Sequence, residues 1–272
     1  MNSMNVSNLE RVAKQIRRNI VEMVGIGKAG HLGGSCSSAD IATVLYFHKL
    51  RRKDDDLCWS DRDRLIFSKG HAALCQYAAL AELGIIDRAE LTRVKTLGGI
   101  LQGHPDMVRC PGIEANTGSL GQGLSISLGL ALAKRLDKSP ARIYCIIGDG
   151  ELNEGQCWEA AMAAAHYKVD NLVAIIDRNH LQATDETSKI MSCDRIDEKF
   201  RAFGWETLTV DGHNIEQIIE VLDKADTVEE KPVAIVAETV KGKGVSFAEG
   251  KVQYHNGTLT KDEYDEAIAG LL

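Results

Sequence analysis

Residues 142–154 read RIYCIIGDGELNE, and the stretch continues as GQCWEAAMAAAHY over 155–167. An apolar run closes on Gly148, Asp149 and Gly150 and gives way to an alanine-rich segment. That is how a buried strand reads when it turns into a helix. A Gly-Asp-Gly turn by itself is common in loops. What sets this one apart is a second apolar run one βα unit later, NLVAIIDRN over 171–179, which ends on Asn179. If the two strands are neighbours, the Asp149 carboxylate, the Asn179 amide oxygen and a nearby backbone carbonyl converge at their carboxyl ends. Such hard oxygen ligands suit Mg²⁺ or Ca²⁺ and leave coordination positions for phosphate oxygens and water. The flanking glycines permit close approach of a ligand. A helix expected from Gly155 turns its N-terminus, which favours an anion, toward the same place. A diphosphate carries about three negative charges, and a divalent cation with one aspartate nets about +1. The remainder calls for a lysine, a histidine or backbone N–H groups.

Working outward, WETLTV (205–210) and PVAIVAE (232–238) are further short apolar runs. Helical stretches are predicted at 155–168, 195–203 and 214–226. This alternation predicts an α/β fold with a mostly parallel sheet and helices on both faces, its ligands at the strands' carboxyl ends. Upstream the chain reads as helical. NLERVAKQIRRNIVEMV (8–24) places Leu9, Val12, Ile16, Ile20 and Val24 on one stripe. SADIATVLYFHKL (38–50) has Ser38 as its expected cap. GHAALCQYAALAELG (70–84) stops at Gly84. SLGQGLSISLGLALAKRL (119–136) carries small residues on one face, which invites close approach of another backbone. Residues 1–272 therefore read as a single domain, with a helical part over 1–140 and a βαβ core over 141–240.

Composition narrows the function. The 272 residues carry a formal net charge of −7, which argues against a nucleic-acid or anionic-membrane surface as the main partner. No apolar run reaches the roughly 18 residues of a membrane span, and the first residues lack the apolar core of a signal peptide. Seven cysteines, none in a C-x-x-C pair, read as reduced thiols in a cytoplasmic protein. RRKDDD (51–56) reads as a solvated turn.

The stretch from Gly148-Asp149-Gly150 onward to Asn179 resembles the thiamine diphosphate motif. KAGHLGGS, FSKGHAA, QGHPD, NTGSLGQG and the TVKGKGVSF…YHNGTL segment resemble transketolases in particular, in the family's order over almost the whole chain. The resemblance implies a thiamine diphosphate-binding fold with Mg²⁺ held by Asp149, Asn179 and the Leu181 carbonyl, Ca²⁺ or Mn²⁺ being possible substitutes. It implies cofactor contacts from Gly150, Gly118, Ser119, Leu120, His71, Lys241, Asn179 and His255, and an acidic position at the cofactor and subunit interface at Glu154. His31, His104 and His255 match histidines around the donor sugar and the reacting carbon. His48, His166, His180 and His213 lie in no motif and read as structural. Leu32 stands where many members have proline.

The implied activity moves a two-carbon ketol unit from a ketose phosphate to an aldose phosphate, in carbohydrate metabolism of the pentose phosphate kind. Histidine suits the proton handling, since its ordinary pKa lies near neutrality. The family's activating glutamate and pyrimidine groove belong to a second domain, and NGTLTKDEYDEAIAGLL after His255 cannot form one. The chain therefore resembles the N-terminal, diphosphate-binding subunit of a two-chain transketolase. Its expected partner is a separate C-terminal subunit, most simply in a heterotetramer. Rival readings are a split relative acting on branched or sulfonated sugars, a deoxyxylulose-phosphate synthase-like subunit, an E1 subunit of a 2-oxo acid dehydrogenase, and a non-catalytic cofactor-holding subunit.

Overall fold

The computed structural model describes residues 4–53 and 56–272. The turn expected at 51–56 thus lies partly outside the described residues, as do the first three positions. Ten α-helices run in order: α1 (Val6–Val24), α2 (Leu32–Ser37), α3 (Ala39–Val44), α4 (Ala73–Glu82), α5 (Gln122–Leu136), α6 (Gly155–His166), α7 (Thr187–Met191), α8 (Ile196–Ala202), α9 (Ile215–Asp226) and α10 (Lys261–Gly270) among the described residues. The strands are β1 (Arg64–Phe67), β2 (Ile143–Gly148), β3 (Leu172–Arg178), β4 (Glu206–Asp211) and β5 (Val233–Glu238).

All five strands are parallel, in the order β1-β2-β3-β5-β4. Alternate residues of each strand serve opposite cores. Tyr144, Ile146, Val173, Ile175, Val233 and Ile235 face a layer that includes α1, α3, α4 and α9. Ile143, Cys145, Ile147, Leu172, Ala174 and Ile176 face α5, α6 and α8. The predicted strands, the helices between them and the two-faced sheet are all present; β1 is an addition.

The long stripe of α1 is core: Leu9, Val12, Ile16, Ile20 and Val24 are all buried. Each such side chain contributes about 1.5–3 kcal/mol when removed from water. Ser38 does not cap a helix. It lies in helical backbone between α2 and α3, and its hydroxyl donates to the Gly34 carbonyl and the Asp177 carboxylate instead. The small face of α5 meets backbone as expected, for a Cβ on Gly123 would stand 2.6 Å from the Ser68 Cα. The helix begins at Gln122, so Ser119 to Gly121 form the turn that precedes it.

Candidate active site at the carboxyl edge of the sheet

In the β2–β3 register Gly148 pairs with Asp177, so the two strand tips adjoin. Asp149 follows one tip and Asn179 the other. Asp149 is 3% exposed. Its Oδ1 accepts from the Gly150 N–H at 2.8 Å, and its Oδ2 from the His180 N–H at 2.7 Å and the Thr187 hydroxyl at 3.4 Å. Asn179 Oδ1 accepts from the Leu181 N–H at 3.2 Å, while its amide donates to Asp177 at 3.4 Å. Burial, and then the neighbouring Asp177, push the Asp149 carboxyl above the usual carboxylate range.

Four loops cross above these tips. Gly30 and Gly257 exchange backbone hydrogen bonds at 3.0 and 3.1 Å, which sets His31 and His255 on adjoining chain segments. His71 follows Gly70, whose missing side chain lets the loop rest on Thr117; a Cβ there would lie 2.6 Å from the Thr117 carbonyl carbon. His31, His71 and His255 have ring centroids 5.0–5.5 Å apart, and His104 stands 6.2 Å from His31. Burial, then neighbouring Lys and His groups, lower His31 to about 4 and His255 to about 3. His71 falls to about 2 and His104 is lowered too. All four are therefore neutral imidazoles near pH 7, each with one donor and one acceptor nitrogen.

Beneath the histidines lies a buried ionic layer. Lys69 pairs with Asp177 and donates to the Gly34 carbonyl at 2.9 Å. Asp177 also accepts from Ser37 at 2.6 Å and from Thr239. Burial disfavours its charge, but Lys69 and these donors more than offset that and hold its pKa below the usual range. Glu151 accepts from Ser68 and from the Gly121 and Gly148 N–H groups, at 2.9 and 3.0 Å for the latter two, tying three loops together. Lys241 donates to the Leu181 and Gln182 carbonyls at 2.7 and 2.9 Å. Burial, then Lys69, lower its pKa to about 8.

The residues fit a divalent cation. Among the described residues Asp149 has no cationic side-chain partner, unlike Asp177, so its buried charge is left for an outside cation. The available donors are one carboxylate, one amide oxygen and carbonyls, the hard-oxygen chemistry of Mg²⁺. No cluster of three His, Cys, Asp or Glu side chains exists among the described residues that could hold a metal alone.

Of the positions singled out in the sequence, one cavity of about 300 Å³ gathers His31, His71, His104, Gly118, Leu120, Asp149, Gly150, Asn179, Leu181, Lys241 and His255. Ser119 and Glu154 are exposed and stand outside its lining. Gly155 is also outside it. A 3₁₀ turn, Gly150–Asn153, intervenes, and this turn rather than α6 meets the pocket. Lys69, Glu151 and Gln182 line the cavity without having been singled out. The available signal was polarity in the wrong place, as with Asp177, a carboxylate closing the apolar run LVAIID. His213 is a tie rather than a reagent. Its Nε2 accepts from the Val240 N–H at 2.8 Å, so Nδ1 carries the proton donated to Asp40 at 2.7 Å. Asp40 in turn holds Arg17 of α1 through two bonds of 2.9 and 2.5 Å. The seven cysteines are free thiols, and of these Cys58 alone is exposed. No helix among the described residues is long and apolar enough to cross a membrane.

The family described as "Transketolase, thiamine diphosphate binding domain" matches residues 9–270. One of the two subunits named for the apulose-4-phosphate transketolase of Phocaeicola vulgatus is 42% identical over 97% of this chain and 94% of its own length. A 6-deoxy-6-sulfo-D-fructose transketolase subunit of a Clostridium species is 42% identical over 97% and 96%. The transketolase of Leishmania mexicana superposes with a TM-score of 0.91 at 30% identity over 97% of this chain. This chain spans only 41% of that protein's length. Strand tips, histidine loops and matched relatives agree: the chain belongs to the transketolase family and corresponds to its thiamine diphosphate-binding part.

Proposed function

We propose that this chain is the N-terminal, diphosphate-binding subunit of a two-chain, Mg²⁺-dependent transketolase that moves a two-carbon ketol unit from a ketose phosphate to an aldose phosphate. The observation that carries this reading is the single cavity with Asp149 and Asn179 on one wall and four neutral histidines on the other. Asp149, Asn179 and the Leu181 carbonyl would hold the metal, and Gly150, His71, Gly118, Leu120 and Lys241 the cofactor. Thiamine diphosphate, when bound, supplies an electron sink for the bond beside the ketose carbonyl. The chain's own residues bind, orient and handle protons. His31 and His255 exchange protons with donor hydroxyls through their ring nitrogens, and His104 orients the terminal hydroxyl. Their neutrality lets each ring accept a proton at one nitrogen while donating at the other.

The activating glutamate and the pyrimidine groove come from a separate C-terminal subunit, in a cytoplasmic assembly best pictured as a heterotetramer. The two relatives matched end to end, both called transketolase subunits, support a two-chain enzyme. Their names also favour a second reading of the substrate, an unusual sugar such as a branched or sulfonated ketose. Mixing this chain with its partner subunit tests both readings. Ketol transfer should appear only on mixing, and rates with xylulose 5-phosphate, apulose 4-phosphate and 6-deoxy-6-sulfofructose as donors rank the substrates. Full activity of this chain alone would refute the two-chain reading.

A further inference from the structure

Most polar donors facing the cavity already have acceptors within the chain. Lys69 is taken up by Asp177 and Gly34, and Lys241 by two carbonyls. The Gly150 N–H is bonded to Asp149. Gln182 differs: its side-chain Nε2 is buried and has no hydrogen-bond partner. A buried –NH₂ without an acceptor costs about 1–3 kcal/mol, and an amide nitrogen can only donate.

Slack in the loop does not explain this placement. The Gln182 N–H donates to the Asp185 carbonyl at 2.9 Å, and the Gln182 carbonyl accepts from Lys241 at 2.9 Å. Between these two anchors the side chain lies flat on the glycine of the GDG turn. A Cβ on Gly150 would stand 2.6 Å from Gln182 Cγ and 3.0 Å from its Cδ. The absent side chain at 150 is thus what admits the Gln182 carboxamide beside Asp149. The donor is fixed, desolvated and left without an acceptor on the cation-seeking wall of the pocket.

We propose that Gln182 is a cofactor-recognition residue whose Nε2 donates a hydrogen bond to an anionic oxygen of the diphosphate bound over Asp149 and Asn179. This rests on the thiamine diphosphate reading above. It adds a neutral donor to a set in which the two lysines are largely committed elsewhere. Because it carries no charge, it binds an anion without competing with the metal for Asp149.

The test is cofactor affinity, measured by calorimetric titration of thiamine diphosphate with Mg²⁺ into the full chain combined with its partner subunit. Inorganic diphosphate with Mg²⁺ serves as a second probe. Q182A and Q182M should each weaken both probes about tenfold, the loss expected for one hydrogen bond to a charged group. Q182E should weaken them further, since a carboxylate would face the diphosphate. Without cofactor, Q182M should melt no lower than the parent chain, because it keeps the packing over Gly150 and removes an unsatisfied donor. Parental affinity in Q182A overturns the proposal. So does affinity lost in Q182A but kept in Q182M, which would make the side chain a packing element. A parent complex that binds neither probe overturns the cofactor reading itself and this inference with it.

Discussion

The two walls of the pocket differ in what the chain has already done for them. At the tips of β2 and β3 nearly every polar atom has a partner: Asp177 has Lys69, two serines and Thr239, and Glu151 has three donors. Across the cavity, the rings of His31, His71, His104 and His255 touch one another but make no hydrogen bond within the chain among the described residues. The tip wall is a preformed scaffold whose order is built into folding. The histidine wall holds its donors and acceptors open for something that arrives. Between them sits Asp149, bonded by backbone groups yet without a counter-charge.

The comparison can be broken most directly at a histidine. His31→Ala should lower turnover of the assembled two-chain enzyme by about a hundredfold or more, with a much smaller change in cofactor affinity. A variant that loses only cofactor binding would move His31 from proton handling to recognition. On the tip wall the same kind of deletion should act on stability. Asp177→Ala strands the Lys69 charge and should cost about 3–5 kcal/mol in urea unfolding, whereas His31→Ala should leave the unfolding midpoint nearly unchanged. Pairing the first with Lys69→Met should recover most of the loss. No recovery would mean that Asp177 is needed for its serine and threonine bonds rather than for its charge.

Asp149 sharpens the contrast. In the two-chain complex, thiamine diphosphate with Mg²⁺ at about a hundred times its dissociation constant should stabilise the parent fold by about 2.7 kcal/mol. Chelating the metal should remove that gain. Asp149→Asn should abolish it, yet leave the cofactor-free protein as stable as before, since it deletes a buried carboxylate that has no counter-ion. The smallest effect concerns pH. His31 and His255 have folded pKa values lowered to about 4 and about 3, so below the unfolded value near 6.5 the unfolded chain takes up protons that the folded chain refuses. Their contribution is intact above pH 6.5 and is lost progressively as pH falls toward 4. Thermal melts should show this decline, and a His31→Gln/His255→Gln chain should show a shallower one over the same interval.

Much of this was legible in the sequence for a simple reason. Strand-to-helix switches and glycine-flanked histidines are local patterns, and their spacing is preserved when the chain folds. β1 was not, because Arg64–Phe67 is four residues long and opens with arginine, too short to show alternation. Its strand character comes from pairing with β2. Ser38 reads as a cap by residue type, but α2 already occupies the backbone before it, and its hydroxyl turns to Asp177. The Lys69–Asp177 pair joins positions 108 apart, and only the fold reveals that two charged residues in apolar surroundings neutralise each other. Gln182 carried no motif at all; its meaning lies in an absence of partners that becomes visible once Gly150 is seen beneath it.

The Arg17–Asp40–His213 tie has a bearing on how this chain tolerates trimming. Arg17 lies deep in the first helix, yet the series of bonds that begins there ends on the Val240 amide, one residue short of Lys241. Removing the opening helix would therefore loosen a lysine more than two hundred positions downstream, and a fragment lacking its first turns is not a smaller version of the same binding domain.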